Sequence, residues 1–394
     1  MTTTEHTDVL VVGAGLAGLR TATLLATRGH QVTLIERRRR LTDFIRTTGI
    51  FVRKTFTDYD LGEEHLGPPI RTMVLYPPSH RAPVTLRSNR DEYRVGEMGP
   101  LYEHGAREAV AAGVDLQLGT RYLGKVSDHT YLIRNDEGRT RIRAQYIVGA
   151  DGARSQVARD LGLDLNTHLL VGAERVYTVT SAPAEPAFHC VIDPNITPGY
   201  LAWVINDGVH AHIGTAGYAR RYRHGIQQAL ETFSRTAPGL EPQDRHPQQV
   251  EQRGGPIPVG GLLPQISCPA GLLVGDAAGA VSPLTAGGLD PCLRLSDHAV
   301  EILDSALTQS QPDLLRHYDG ATLRREFRGR LAMRHALAQL RSPAVAAAAF
   351  TALRTPPGRA AAKRILFSDK SFPTPPTPQD SFGIRPTIPT TLGA

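Results

Sequence analysis

The chain has 394 residues, 41% of them hydrophobic and 21% charged, with a formal net charge of +6; it is long enough for two or three packed domains and has the composition of an ordinary globular protein. The arginines are scattered apart from Arg37 to Arg40, which read as a solvated face, so nucleic acid is not expected as a partner. Cys190, Cys268 and Cys292 have no CxxC spacing and make an odd count, which indicates neither a disulfide framework nor a zinc site.

The first residues, Met1-Thr-Thr-Thr-Glu-His, lack a basic, then apolar, export signal. The longest apolar run, Ala344 to Leu353, is shorter than the roughly 18 residues a membrane span needs. A soluble protein of the reducing cytoplasm is expected, with no transmembrane span; the oligomeric state is not legible.

In chain order, Asp8-Val-Leu-Val-Val-Gly13-Ala-Gly15-Leu-Ala-Gly18 is an apolar strand that ends in a glycine turn and opens a helix. A second strand, Gln31 to Glu36, stops at an acid. That is a βαβ unit built around a dinucleotide. Gly13 permits the tight turn, Gly15 lets backbone approach a pyrophosphate, Gly18 lets the helix pack on the strand, and Glu36 can accept ribose hydroxyls. Arg46, or failing that Arg53, could fold back onto the pyrophosphate.

Thr72 to Arg94 reads as inserted antiparallel strands and Leu101 to Ala112 as a helix ending at Gly113. Further strands are expected over Asp115–Leu118, Lys125–Asp128, Thr130–Asn135 and Thr140–Ile147, the last returning to the sheet and ending in Gly149-Ala-Asp151-Gly152. From Thr167 to Val259 strand formers dominate. A hairpin turns at Asp207-Gly208, and a helix is expected over Tyr218 to Thr232. Tyr200, Trp203 and His210 are placed in an apolar substrate pocket beneath this region. His210 and His212 share one face of a strand, but no third ligand is in register, so no metal is expected. A third return to the sheet is Gly271-Leu-Leu-Val-Gly275-Asp276. Asp290-Pro291 reads as an N-cap and first turn of the next helix, Leu314 to Phe367 as helical, and the tail from Phe372 as extended or disordered.

Taken together, the Gly13 to Gly18 turn with Glu36-Arg37, Gly149-Ala-Asp151-Gly152 and Gly275-Asp276 resemble the FAD-dependent oxidoreductase superfamily with the p-hydroxybenzoate hydroxylase-like fold, over roughly residues 7 to 305. Gly275-Asp-Ala-Ala-Gly279 followed by Pro283-Leu-Thr, and Gly254 to Gly261, are closer to the geranylgeranyl reductase branch. The resemblance implies that FAD is held by Gly13, Gly15, Ala17, Gly18, Glu36, Arg37, Arg46, Asp151, Gly152, Gly275, Asp276, Gly287, Gly288 and Leu289. Within that set Asp276 would take a ribityl hydroxyl, and Gly287 and Gly288 would offer N–H groups to the flavin edge. Departures are Trp203, one place late in a partial Tyr-x-Trp motif, Met98 where relatives carry an arginine, for which Arg94 could substitute, and Thr47 where they often carry a cysteine. If the Asp290 carboxylate faced the flavin it would disfavour reduction.

The expected fold class is α/β (α+β overall): a Rossmann-like FAD-binding domain, an antiparallel-sheet substrate domain and C-terminal helices. The FAD-binding domain is expected over residues 1–70, 95–165 and 265–310, the substrate domain over 71–94 and 166–264, the helical region over 311–370 and the tail over 371–394. The expected function is FAD-dependent reduction or oxygenation of a large hydrophobic polyene, isoprenoid or polyketide, with NADPH or NADH as a source of electrons. Two alternatives are a redox-neutral cyclase or isomerase in which FAD shapes the pocket, and a flavin-binding protein without catalysis.

Overall fold

β1 (Thr4–Val12), α1 (Leu16–Thr27) and β2 (Val32–Glu36) form the opening βαβ unit of the computed structural model, which describes residues 4–180, 182–183, 185–240 and 249–368. The tail beyond Phe372 lies outside the described residues. Val9 to Val12 and all of β2 are buried, as befits parallel strands covered on both faces. Gly13 takes φ +104°, where a Cβ would meet the Ala150 carbonyl oxygen at 2.5 Å; a Cβ on Gly18 would lie 1.9 Å from the Gly13 carbonyl oxygen. These two glycines set the turn and the approach of helix to strand.

Next come β3 (Ile50–Val52), α2 (Arg53–Asp58), β4 (Thr72–Tyr76), β5 (Val84–Arg87), β6 (Tyr93–Val95) and α3 (Met98–Ala111). They lead to β7 (Asp115–Leu118), β8 (Arg121–Ser127), β9 (Thr130–Asn135), β10 (Gly138–Gly149) and α4 (Gln156–Leu161). The middle of the chain supplies β11 (Leu169–Thr178), β12 (Ala187–Val191), β13 (Ala202–Asn206), β14 (His210–Gly217), α5 (Ile226–Thr236) and β15 (Gln249–Pro258). Last are β16 (Ser267–Cys268), β17 (Gly271–Leu273), α6 (Leu289–Thr308), α7 (Gly320–Arg324), α8 (Arg328–Ala338), α9 (Pro343–Leu353) and α10 (Pro356–Leu366).

One sheet has the order β16-β17-β10-β1-β2-β7, with β8 and β9 folded on antiparallel beside β10; β17, β10, β1, β2 and β7 run parallel. The other has the order β15-β11-β14-β13-β12-β4-β5 and is antiparallel except for the β12–β4 pair. α6 packs against α1, where the buried Ser296 hydroxyl donates to the Ala17 carbonyl. α9 and α10 close against β4, β5 and β12 through Met73, Leu75, Leu86, Phe350, Ala362 and Phe367. Their starts are written locally: Ser342 and Thr355 accept N–H groups of the first turn, each before a proline at the helix start.

Two local expectations are corrected. The helix expected over Tyr218 to Thr232 begins only after Gly225, which takes φ +81° and is the N-cap of α5; a 3-10 turn precedes it. Asp290 is not an N-cap. α6 starts two residues earlier than expected, at Leu289 with Gly288 as its cap, and Asp290 is buried in the first turn.

Candidate functional site

Backbone hydrogen bonds hold the three glycine-tipped strand ends side by side: Gly13 N–H to the Ile35 carbonyl (2.8 Å), Ala150 N–H to Val12 (2.9 Å) and Val274 N–H to Gly149 (3.0 Å). In a doubly wound sheet such ends define the ligand crevice. A continuous cavity of about 1620 Å³ opens there, larger than the roughly 300–1,000 Å³ of a site for one small ligand. It runs from the strand ends to an apolar end enclosed by the second sheet, α9 and α10.

At the strand ends Gly13, Gly15, Leu16 and Ala17 line the cavity. The first turn of α1 has no side-chain cap, which leaves N–H groups and the positive end of its dipole for an anion. A Cβ on Gly15 would meet nothing within 4 Å, so that backbone face is open. Gly18, expected at the cofactor, does not line the cavity; its contact is the backbone of Gly13. Glu36 accepts from Ala14 N–H (2.9 Å) and Arg38 N–H (3.0 Å) and pairs with the Arg38 guanidinium (3.1 Å). Burial alone would raise its pKa, but Arg38 and the two N–H groups hold the carboxyl below the ordinary range. Arg38 is the arginine that pairs with this acid, while Arg37, expected at the cofactor, is exposed and lines the cavity beside it.

Arg46 faces the cavity and carries no hydrogen bond or ion pair among the described residues. Burial, then Arg37 and Arg38, lower its pKa, while Glu36 and Asp276 oppose that shift. Asp276 also faces the cavity, with no hydrogen bond to its carboxylate, and burial raises its pKa to about 6 despite Arg46. Asp151 spends Oδ2 on the N–H groups of Gln156 and Val157 at the start of α4, whereas Oδ1 is buried without a partner. Gly152, Gly275, Gly287, Gly288 and Leu289 complete this wall, the last three at the uncapped start of α6.

Asp290 lines the cavity as part of an ion pair, accepting from Arg294 (3.0 Å) and Thr55 (3.1 Å), with Arg294 also bonded to Asp58 (2.7 Å). Its charge is balanced, so it does not present the isolated negative charge considered from the sequence. Arg94 does not reach the cavity; it bonds Glu63 (2.6 Å) and the carbonyls of Leu66 and Gly67.

At the substrate end Tyr200 is buried, donates its hydroxyl to the Thr285 carbonyl and lies under Arg334 (5.2 Å from ring centroid to guanidinium). Trp203 lies flat on Gly214, where a Cβ would come within 2.1 Å of the indole, and its Nε1–H donates to Glu174 (2.7 Å). Glu174 is buried, accepts the Thr48 hydroxyl, and lies 3.6 Å from both Arg253 and His212. His212 reaches Asp207 (3.2 Å) and Arg253 reaches Glu251 (2.6 Å). Burial works against every charge here, but the partners win: Glu174 and Asp207 are held below, and His212 and Arg253 above, their ordinary pKa values. Glu174, Arg253, Trp203 and Thr48 line the cavity. His210, expected beside them, does not. It sits half-buried at the outer end of β14, edge-on to His212.

The sequence reading missed Glu174, Arg253, Arg38 and the cavity lining from α9 and α10. The one sequence signal for the last was the apolar run Ala344–Leu353, of which Ala349, Ala352 and Leu353 reach the cavity.

The residues fit FAD. Asp276 and Arg46 are polar side chains without hydrogen-bond partners among the described residues that face a space too large for one small ligand, and Gly15 offers open backbone at a helix start. Asp276 gives a pH signature. Its raised pKa means that the FAD-free protein loses stability as pH rises from about 4 to about 6, by about 2–3 kcal/mol. Asp276→Asn is expected to remove that slope, to stabilise the FAD-free protein at pH 7 and to weaken FAD binding. Urea melts of both proteins at pH 5 and 7, with FAD titrations, check it; equal slopes would contradict the placement of Asp276.

The FAD binding domain family matches residues 6–56 and 102–219. A digeranylgeranylglycerophospholipid reductase of Thermoplasma volcanium is 25% identical over 332 residues, covering 80% of this chain and 83% of that protein. A geranylgeranyl bacteriochlorophyll reductase-like structure from Thermoplasma acidophilum superposes with a TM-score of 0.79 at 21% identity, over 92% of this chain and 100% of that one. A probable FAD-dependent monooxygenase from Pseudomonas aeruginosa gives a TM-score of 0.63 at 20% identity, over 88% and 100%. Together the matched FAD binding domain, the shared fold and the relatives support an enzyme of the FAD-dependent oxidoreductase class, similar to the geranylgeranyl reductase branch.

Proposed function

We propose that the chain reduces carbon–carbon double bonds of a long isoprenoid, with a nicotinamide cofactor, NADPH or NADH, as the source of electrons. One observation carries this reading: the groove at the strand ends continues into an apolar chamber lined by Met73, Leu75, Phe188, Leu201, Leu353 and Leu366. Such a chamber holds a long hydrocarbon, and the reductases named among the relatives act on lipids of that kind. Bound FAD supplies the two-electron chemistry. The chain supplies alignment. The start of α1 with Gly15 and Arg46 holds the pyrophosphate, Glu36 the adenosine ribose, Asp276 the ribityl chain, and Gly287, Gly288 and Leu289 the pyrimidine edge, where the start of α6 favours negative charge. Trp203 and Tyr200 form the wall between cofactor and chamber. Of the three departures behind the redox-neutral cyclase, Met98, Thr47 and Asp290, the last is paired with Arg294 and lends it no support.

Leu201→Trp narrows the chamber away from the strand ends. It is expected to raise KM for a geranylgeranyl-chain substrate about tenfold or more while FAD content stays at the wild-type level. Unchanged KM would count against the chamber as the substrate site.

A further inference from the structure

We infer that Glu64, His65 and His104 form a binding site for a divalent transition-metal ion of the zinc class, which clamps the 3-10 turn Glu63–His65 onto α3. One ligand atom from each of the three lies within 4.8 Å of the others. His65 Nε2 is 3.6 Å from Glu64 Oε1. In a tetrahedral site with bonds of about 2.0–2.1 Å the ligands are about 3.3–3.4 Å apart, so this pair already spans one edge. Glu108 lies one turn beyond His104 on the same face of α3, its Oε1 3.5 Å from His104 Nε2, outside the cluster of three ligand atoms.

Both halves of the site are held in advance. The Gly67 N–H bonds to Val95 (2.7 Å), the Glu97 N–H to the His65 carbonyl (2.8 Å), and Arg94 ties down Leu66 and Gly67. His104 projects from the middle of a 14-residue helix. An edge-on ring contact (centroids 5.4 Å apart) accounts for the nearness of the two imidazoles. It leaves His65 Nε2 buried with no hydrogen-bond partner among the described residues, in a side chain only 13% exposed. A metal ion held together with the Glu64 carboxylate satisfies it. Two imidazoles and a carboxylate suit zinc and its neighbours and not calcium or magnesium. None of the three residues lines the large cavity, so the ion acts on the stability of the turn and takes no part in the redox chemistry.

The test uses the full-length, FAD-loaded, chelator-treated protein, titrated with zinc chloride by calorimetry and with cobalt chloride by absorption. One ion per chain is expected at micromolar affinity or tighter, with visible cobalt bands free of the thiolate charge-transfer absorption that a cysteine ligand would add. His65→Ala and His104→Ala should each weaken binding about tenfold or more, and zinc should raise the melting temperature of the wild type but not of the double variant. Equal circular dichroism and FAD content would show that the variants fold. Failure to bind zinc stoichiometrically, or unchanged binding in the double variant, would overturn the site.

Discussion

Gly15→Ala is expected to give a folded protein that no longer retains FAD. Gly15 has φ −80° and ψ −180°, an extended conformation open to any residue, and its added methyl would touch no atom within 4 Å. The methyl would stand where the pyrophosphate approaches the start of α1. Losing one or two charge-assisted hydrogen bonds there lowers affinity about tenfold to a few hundredfold. Gly18→Ala contrasts with it, because its methyl would lie 1.9 Å from the Gly13 carbonyl oxygen; the helix must move off the strand, for a loss of about 1–3 kcal/mol or more. Thermal melts with FAD fluorescence titrations separate the two. A Gly15→Ala protein that keeps FAD at wild-type affinity would contradict the binding mode.

Glu174→Ala has the other large expected effect, a loss of about 3–5 kcal/mol of stability, because it removes the buried carboxylate shared by Arg253 and His212, which keep only their outer partners Glu251 and Asp207. The lowered pKa values of Glu174 and Asp207 mean that stability is lost as pH falls through them, and the raised value of His212 means that its share is lost as pH rises above the ordinary imidazole range. Adding Arg253→Met to Glu174→Ala should recover part of the loss, since the buried guanidinium that lost its Glu174 partner is gone. Urea denaturation of the single and double variants measures the coupling. A Glu174→Ala protein within about 1 kcal/mol of wild type would show that the carboxylate is not the centre of the network.

What was legible in the sequence was local. Gly13, Gly18 and the strand ends at Glu36, Asp151 and Asp276 each sit within a few residues of the glycine or apolar run that explains them. Arg38 was missed because a run of four adjacent arginines does not say which one turns back beside Glu36. Glu174 could not be found from the sequence because its partners meet it only through sheet register: Glu174 is opposite Arg253 on one side and Gly214 on the other, and Trp203 is opposite Gly214. Gly214, bare among strand formers, was the trace of that arrangement. His210 failed for the complementary reason. Alternation placed it on the face of His212, but the cavity ends before the outer end of β14. The apolar run in α9 was read only for what it could not do in a membrane, whereas its small residues form part of the chamber wall.

The claim that the flavin cycles between redox states on an isoprenoid is tested most directly by an anaerobic half-reaction. The FAD-loaded protein is reduced with one equivalent of dithionite and mixed with a geranylgeranyl-chain lipid, and the visible flavin band is followed alongside mass analysis of the lipid. The expected result is return of the oxidised flavin spectrum with one double bond saturated per flavin. Conversion of the lipid to an isomer of unchanged mass by protein whose flavin stays oxidised would contradict it and favour the cyclase.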